Sequence, residues 1–265
     1  MRKFVRFEYE GKIGCGELKG DRIEVLDRNF LDREAKPTGE TIDAARVRLL
    51  APVDAPNIVC IGLNYKSHAE EADEKLPEIP LIFLKATTAL CGHGDAIRLP
   101  RIAPNNVDYE GELAIVIGRR CKDVSEAEAL DYVFGYTIAN DVSARDCQLK
   151  IDKQWARGKS FDTFCPVGPC VAADIDASNV AIETRMNGRV MQSSNTGCLI
   201  FPIPRLVSFI SQNMTLLPGT IILTGTPEGC GFKRVPPVWL RGGDVVEVSI
   251  ENIGTLVNRV EGTKK

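Results

Sequence analysis

The sequence contains little of what several common protein classes require. It has two histidines, His68 and His93, and nine scattered cysteines without a C-x-x-C pair. This pattern argues against a secreted disulfide framework and against a structural zinc site. We therefore expect reduced, mostly buried and unreactive thiols in the cytoplasm, with the mitochondrial matrix left open. Apart from Cys91, which is two residues from His93, no cysteine is close to a histidine in sequence, and a pair formed in space is left open.

Long apolar runs and a large net charge are also missing. No stretch approaches the roughly 18 apolar residues of a membrane span. The charged, alternating start Met1–Glu8 lacks the apolar core of a signal peptide. A formal charge of −3 gives no electrostatic footprint for nucleic acid. The serine-hydrolase elbow G-x-S-x-G and the P-loop are absent too. We therefore expect a soluble protein with a small-molecule partner and neither a nucleic-acid nor a membrane partner.

Apolar segments of strand length dominate the rest of the sequence. Two late segments, Val245–Ile250 and Thr255–Val260, flank a glycine-containing turn, which predicts a hairpin. The other segments are Ile58–Ile61, Leu81–Leu84, Leu113–Ile117 and Thr220–Leu223. Because these segments do not alternate regularly with helices, a Rossmann or TIM architecture is not favoured. The sequence predicts a mainly β fold with some α-helix, arranged as a sandwich or a rolled sheet.

Two units and two helices are predicted along the chain. Residues 1–53 are predicted to form a small β-rich N-terminal unit, and residues 54–265 the main domain. The boundary is placed here because Pro52 and Pro56 flank it. The capping box Ser125–Glu128 predicts a helix that ends near Gly135. Pro204 predicts the start of a second helix.

The segment Asp108–Glu112 is the strongest candidate for chemistry. Side chains alternate along a strand, so Glu110 and Glu112 face the same way and repel each other unless a positive charge lies between them. Asp141 follows another apolar segment. If it joins the two glutamates, the all-oxygen set suits magnesium, manganese or calcium rather than zinc. A solvated polar strand is the alternative, and spacing alone does not establish that the three residues converge.

Three further segments carry candidate catalytic or binding groups. His68 and Glu71 are three residues apart, so on a helical turn they share a face and form an oriented general base. The charged, proline-containing stretch Ala72–Pro80 that follows is a candidate lid. Lys159 offers positive charge to an oxyanion, and Thr226 lies in a glycine-rich turn that suits a carboxylate. The alternatives are a surface histidine, an exposed lysine and a plain turn.

Taken together, these segments resemble the fumarylacetoacetate hydrolase family. The resemblance runs from about residue 57 to residue 260, and the first fifty residues match only loosely. The blocks that carry it, in order, are GLNYKSHAEE, PLIFLK, DYEGELAIVIG, GYTIANDVSARD, WARGKSFDTFCPVGP, NGRVMQSSNTG, LPGTIILTGTPEG and GDVVEVSIENIGTLVN. The His68 and Glu71 match is similar to the acylpyruvate hydrolase and oxaloacetate decarboxylase branch.

The resemblance implies a rolled mixed β-sandwich catalytic domain that forms a homodimer. It implies Mg²⁺ or Mn²⁺ bound by Glu110, Glu112 and Asp141. The other roles that it implies are a water-activating dyad of His68 and Glu71, a lysine beside the metal at Lys159, and substrate contacts from Arg145, Gln148 and Thr226.

The expected reaction is hydrolysis of a carbon–carbon bond in an acylpyruvate-like 2-oxo acid, through a metal-stabilised enolate. Oxaloacetate decarboxylation requires the same enolate without an attacking water. Isomerisation of a 2-hydroxy-dienoate requires only the metal and a proton shuttle. The same residues therefore permit three reactions. The complete set of groups argues against a fourth alternative, a β-sandwich binding protein without activity.

Overall fold

The computed structural model describes residues 1–263, which fold mainly into β-strands. The strands are β1 (Arg2–Tyr9), β2 (Lys12–Lys19), β3 (Arg22–Leu26), β4 (Pro37–Asp43), β5 (Arg48–Leu49), β6 (Ile58–Gly62), β7 (Leu81–Lys85), β8 (Leu90–Cys91), β9 (Ile97–Arg98), β10 (Val107–Asp108), β11 (Gly111–Ile117), β12 (Val133–Asn140), β13 (Ser143–Ala144), β14 (Cys165–Ala173), β15 (Ala181–Met186), β16 (Arg189–Asn195), β17 (Ile221–Leu223), β18 (Val245–Ile250) and β19 (Gly254–Glu261). The α-helices are α1 (Lys66–Ala72), α2 (Ala156–Lys159) and α3 (Ile203–Asn213). Within residues 1–263, no helix is long and apolar enough to cross a membrane.

Two sheets build the body of the protein. The larger sheet has the order β4-β3-β2-β1-β14-β12-β11-β17-β6-β7, and the smaller one has the order β16-β15-β18-β19-β9. The smaller sheet packs against the centre of the larger one, where β11, β12 and β14 lie. Strand β11 is therefore buried along its whole length, which explains its continuous apolar sequence. The predicted mainly β, mixed-sheet fold is confirmed.

The first fifty residues continue the larger sheet. β1 pairs antiparallel with β14, and β2, β3 and β4 follow it as a meander. The rings of Phe4 and Phe30 pack on Phe134 of β12 with centroids 5.2 Å apart in both pairs. The N-terminal strands therefore share a hydrophobic core with the rest of the chain.

The strands predicted from apolar segments all form. The predicted hairpin is also present, as β18 and β19 pair in register through a turn in which Asn252 has a φ of 67°. Helix α3 begins at Ile203 with Pro204 in its first turn, where a proline has no hydrogen-bonding partner to lose.

The helix predicted from Ser125 to Gly135 is wrong. The capping box itself forms, with Ser125 Oγ donating to Glu128 Oε2 at 2.6 Å. The chain then makes only a 3₁₀ turn, and β12 starts at Val133. Gly135 is part of that strand, where an added Cβ would lie 2.5 Å from the carbonyl oxygen of Ala172. Pairing of this segment between two strands outweighs its local helical signal.

Candidate active site

The register of β11 and β12 brings three carboxylates together. Gly111 pairs with Asn140, so Glu110 lies opposite Asp141, and the Asp141 amide donates to the Glu110 carbonyl at 2.8 Å. Asn140 Oδ1 accepts a hydrogen bond from the Glu110 amide at 3.0 Å, which fixes the backbone at the start of β11. Glu110, Glu112 and Asp141 are buried, and each offers an oxygen within 4.8 Å of the others.

Gly111 allows this close packing. A Cβ at this position would lie 2.1 Å from Thr184 Oγ1 of β15, and the Gly111 amide donates to Gln192 Oε1 at 2.9 Å. The strand that carries both glutamates therefore lies directly against the smaller sheet. A side chain between the two glutamates would push the strand away.

Two buried lysines face the carboxylates. Lys159 Nζ lies 2.7 Å from Glu110 Oε2 and 2.8 Å from Asp141 Oδ2. Lys85 Nζ pairs with the other oxygen of Asp141 and reaches the Val142 carbonyl at 3.3 Å. Asp141 is thus held between two cations, and its orientation is fixed from both sides.

Arg145 forms the third cationic side of the site. Its guanidinium donates to Asp108 at 2.7 Å, to Glu110 at 2.6 Å and to Gln148 at 2.8 Å. It lies 4.1 Å from the ring centre of Phe232. These bonds use three of its five N–H donors, and the remaining donors are free to bind an anionic ligand.

The electrostatics of the cluster fit a divalent cation. Burial and the negative charges of Asp141 and Glu110 raise the pKa of Glu112 well above its usual value, and its carboxylate accepts one backbone N–H, that of Gly225, at 2.7 Å. Burial alone would lower the pKa of Lys159, but Asp141 and Glu110 outweigh it and raise that pKa. Including Asp108, four buried carboxylates face the three cationic side chains. The carboxylates thus outnumber the cationic side chains by one, and their hard oxygen donors suit Mg²⁺ or Mn²⁺.

His68 and Glu71 lie on α1 beside the carboxylates. His68 Nδ1 is 3.5 Å from Glu71 Oε2, and both oxygens of Glu71 accept the Gly229 amide at 3.0 and 3.1 Å. Burial raises the pKa of Glu71, but the bonds from His68 and Gly229 outweigh it and lower that pKa. Glu71 is therefore a fixed anion behind the imidazole, and Nε2 is the nitrogen left for a ligand.

These groups surround one cavity of about 220 Å³. Apolar side chains form one wall of it, in which Phe83 and Trp155 meet edge to face with centroids 5.4 Å apart. Leu149 and Phe232 complete this wall. The cavity is thus lined by both charged and apolar side chains, as expected for a pocket that binds an organic acid.

The structure places the residues predicted from sequence around this cavity. The residues that line it are His68, Glu110, Glu112, Asp141, Arg145, Gln148, Lys159 and Thr226. Glu71 lies behind His68. The Thr226 hydroxyl donates to the Gly111 carbonyl at 2.9 Å and accepts from Gln192 at 2.8 Å. Its proton is therefore committed to the protein, so any contact of Thr226 with substrate relies on its other atoms.

Sequence reasoning missed two charged residues of the site. Lys85 ends the apolar strand β7, and Asp108 precedes the two glutamates by two and four residues. Both are buried, and their partners are Asp141 and Arg145. A charged residue at the end of an apolar strand was the available signal for Lys85, because such a charge requires a buried partner.

Comparison with known proteins agrees with this architecture. Residues 57–261 match the family model "Fumarylacetoacetate (FAA) hydrolase C-terminal", and residues 2–52 match "Rv2993c-like, N-terminal". Oxaloacetate tautomerase Fahd2a from Rattus norvegicus is 44% identical over 83% of this chain and 71% of its own length. Two solved mycobacterial structures are also similar.

The structure of 2-hydroxyhepta-2,4-diene-1,7-dioate isomerase from Mycobacterium marinum superposes with a TM-score of 0.90, at 42% identity and with all of both chains covered. That of 5-carboxymethyl-2-hydroxymuconate delta-isomerase from Mycobacterium smegmatis has a TM-score of 0.89, at 44% identity over 99% of this chain and all of the other. Together with the site geometry, these matches show that the chain is an enzyme of the fumarylacetoacetate hydrolase family.

Proposed function

We propose that this enzyme interconverts the keto and enol forms of oxaloacetate, or of a closely related 2-oxo dicarboxylic acid. The observation that carries the proposal is one cavity in which an oriented imidazole faces buried carboxylates and lysines. A base beside a cluster that can stabilise negative oxygen is what proton transfer at the carbon next to a ketone requires. The name of the rat relative supplies the substrate.

The proposal includes Mg²⁺ or Mn²⁺ held by Glu110, Glu112 and Asp141. The support for it is the crowding of three buried carboxylates, which raises the pKa of Glu112 until a cation replaces its proton, together with their all-oxygen donors. When bound, such a cation polarises the 2-oxo group and stabilises the enolate oxygen.

His68 moves the proton. With Nδ1 facing Glu71, Nε2 accepts the proton from the substrate carbon and returns it on the reverse path. Glu71 is held by the Gly229 amide, so it keeps the ring oriented and stabilises the imidazolium that forms. General-base catalysis of this kind contributes about 10²–10⁴-fold in rate.

Lys159, Arg145 and Gln148 bind and orient the substrate in this proposal. Lys159 adds positive charge beside the developing enolate. Arg145 keeps two N–H donors for a substrate carboxylate. Gln148 accepts from Arg145 through Oε1, which leaves its amide nitrogen to donate into the cavity.

Carbon–carbon hydrolysis of an acylpyruvate is the second candidate, and it is the reaction that the sequence alone favoured. The apolar wall of Phe83 and Trp155 supports it, because this wall offers a surface for an acyl tail that oxaloacetate lacks. In that reaction His68 Nε2 takes a proton from water instead of from carbon. Decarboxylation of oxaloacetate and isomerisation of a 2-hydroxy-dienoate use the same enolate-stabilising groups.

Initial-rate assays on one preparation separate these reactions. Ketonisation of freshly dissolved enol oxaloacetate is followed by loss of the enol ultraviolet absorbance, and pyruvate release from oxaloacetate and from acetylpyruvate is measured in parallel. A 2-hydroxy-dienoate substrate completes the panel. Each assay is run with Mg²⁺ and with a chelator.

We expect Mg²⁺-dependent ketonisation to exceed the spontaneous rate and the other three activities. Faster pyruvate release from acetylpyruvate than ketonisation would instead favour hydrolysis. Absence of every activity in the presence of Mg²⁺ or Mn²⁺ would favour a binding protein. Full activity in chelator would contradict the metal assignment.

A further inference from the structure

A second cluster of potential metal ligands lies behind the imidazole. Cys230 Sγ is 3.9 Å from His68 Nδ1, and Glu71 Oε2 is 3.5 Å from the same nitrogen. The sulfur, the nitrogen and a Glu71 oxygen all lie within 4.8 Å of one another. His68 and Glu71 are neighbours on α1, whereas Cys230 is 162 residues further along the chain than His68. The sequence alone therefore gives no sign that Cys230 joins them.

The two separations from His68 Nδ1 are close to the edges of a tetrahedral zinc site. Usual zinc–ligand distances give edges of about 3.4 Å between nitrogen and oxygen and about 3.6 Å between nitrogen and sulfur. The corresponding distances here are 3.5 and 3.9 Å. With the sulfur and the Glu71 oxygen also within 4.8 Å of each other, a modest closing movement would place the three ligands around one ion, with a fourth position left for water.

The surroundings of the thiol leave it available as a ligand. The contacts of Cys230 Sγ with the Gln192 amide and the Pro227 carbonyl are long, at 3.8 and 3.9 Å. Glu71 keeps 24% of its side chain exposed, which gives an ion a path from solvent. A thiolate and the Glu71 carboxylate together neutralise a divalent ion, so the filled site carries no net charge into the interior.

We propose that His68, Glu71 and Cys230 form an inhibitory Zn²⁺ site. On binding, the Cys230 thiol loses its proton to solvent, and the ion binds the thiolate, Nδ1 of His68 and one Glu71 oxygen. A neutral imidazole bound through Nδ1 carries its hydrogen on Nε2. That nitrogen can no longer accept a proton, so the general base is blocked.

The two clusters select different metals because their donors differ. Glu110, Glu112 and Asp141 offer only hard oxygen, which suits Mg²⁺ or Mn²⁺. The second cluster offers imidazole and thiolate, which suit Zn²⁺. Binding at the second cluster goes beyond the proposed function and does not depend on it, whereas loss of activity on binding depends on His68 acting as the base.

Spectroscopy tests the binding. Co²⁺ or Cd²⁺ is added to enzyme kept in excess Mg²⁺, and thiolate-to-metal charge-transfer absorbance is recorded and competed with Zn²⁺. The variants are Cys230→Ser and, as a matched control, Cys198→Ser, which removes an exposed thiol. We expect one equivalent of signal in the wild type and in Cys198→Ser, and none in Cys230→Ser. A signal that persists in Cys230→Ser, or that Cys198→Ser alone removes, overturns the proposal.

Inhibition gives the second readout. Loss of a residue that hydrogen-bonds to a metal ligand lowers metal affinity by about 10–100-fold, and loss of a direct ligand lowers it at least as much. Cys230→Ser should therefore keep its Mg²⁺-dependent activity and require at least about tenfold more Zn²⁺ for half-inhibition than the wild type. Equal Zn²⁺ sensitivity of both proteins contradicts the inhibitory role. If Cys230→Ser is misfolded by circular dichroism, Cys230→Ala replaces it under the same criteria.

Discussion

At the scale of single residues, the charge balance around Asp141 makes Lys85 a stability determinant. Lys85 and Asp141 are both buried, and removing one partner of a buried pair typically costs about 3–5 kcal/mol. Lys85→Met should therefore lower the free energy of unfolding of the metal-free enzyme by about 3 kcal/mol. Mg²⁺ should restore part of the loss, because a cation bound to Asp141 replaces the missing charge.

The measurement is denaturant unfolding with and without Mg²⁺. Lys19→Met is the matched control, because Lys19 pairs with Glu24 at the solvent-exposed surface, where such pairs contribute little to stability. Similar small losses for the two variants would show that Lys85 is not needed to balance the buried carboxylates.

Glu110 and Glu112 should respond differently to neutralisation. Glu110 pairs with Lys159 and Arg145, whereas Glu112 accepts a backbone N–H and is repelled by its neighbours. Both Glu110→Gln and Glu112→Gln should lose Mg²⁺ binding and activity. Only Glu110→Gln should destabilise the metal-free protein, because it leaves two buried cations short of a partner.

Calorimetric titration with Mg²⁺ and denaturant unfolding in chelator measure the two effects. Wild-type Mg²⁺ affinity in both variants would reject the ligand assignment. A larger loss of metal-free stability in Glu112→Gln than in Glu110→Gln would contradict this pairing of Glu110 with the two cations.

At the scale of elements, strand β11 shows what sequence could predict. Strand alternation placed Glu110 and Glu112 on one face without knowledge of the fold. Their approach to Asp141 depends on the β11–β12 register. This register cannot be read from the sequence, because the paired residues are about thirty positions apart. The ion pair of Lys85 with Asp141 likewise depends on how the sheet positions β7, which ends at Lys85. The helix predicted after Ser125 is wrong for the same reason, because pairing of β12 in the sheet determines the conformation of this segment.

Gly111→Ala tests the packing of β11. The added methyl group would meet Thr184 and Val248 of the smaller sheet at 2.1 and 2.9 Å. Overpacking of this kind typically costs about 1–3 kcal/mol, and the strand shift should also weaken Mg²⁺ binding. Gly262→Ala is the control, because its nearest atom would be 3.7 Å away. Unfolding and Mg²⁺ titration of both variants check this, and an unchanged Gly111→Ala would refute the packing argument.

At the scale of the whole molecule, we predict a homodimer, as the resemblance to the family implied. Large apolar side chains beside the site are consistent with a partner, since Ile151 and Leu149 are 64% and 53% exposed. Light scattering at low micromolar concentration should give a mass near twice the 29.1 kDa of the chain. A mass near 29.1 kDa would count against the dimer.

His68 is proposed to transfer a proton beside a metal-stabilised enolate. The direct test compares kcat/KM of the wild type and His68→Ala at saturating Mg²⁺ on enol oxaloacetate, on acetylpyruvate and in oxaloacetate decarboxylation. Ketonisation and hydrolysis both need the base, so we predict losses of about 10²–10⁴-fold. Decarboxylation needs only enolate stabilisation, so its loss should be small. Equally large losses in all three would assign His68 to ordering of the candidate lid Ala72–Pro80, and equally small losses would contradict its role as the base.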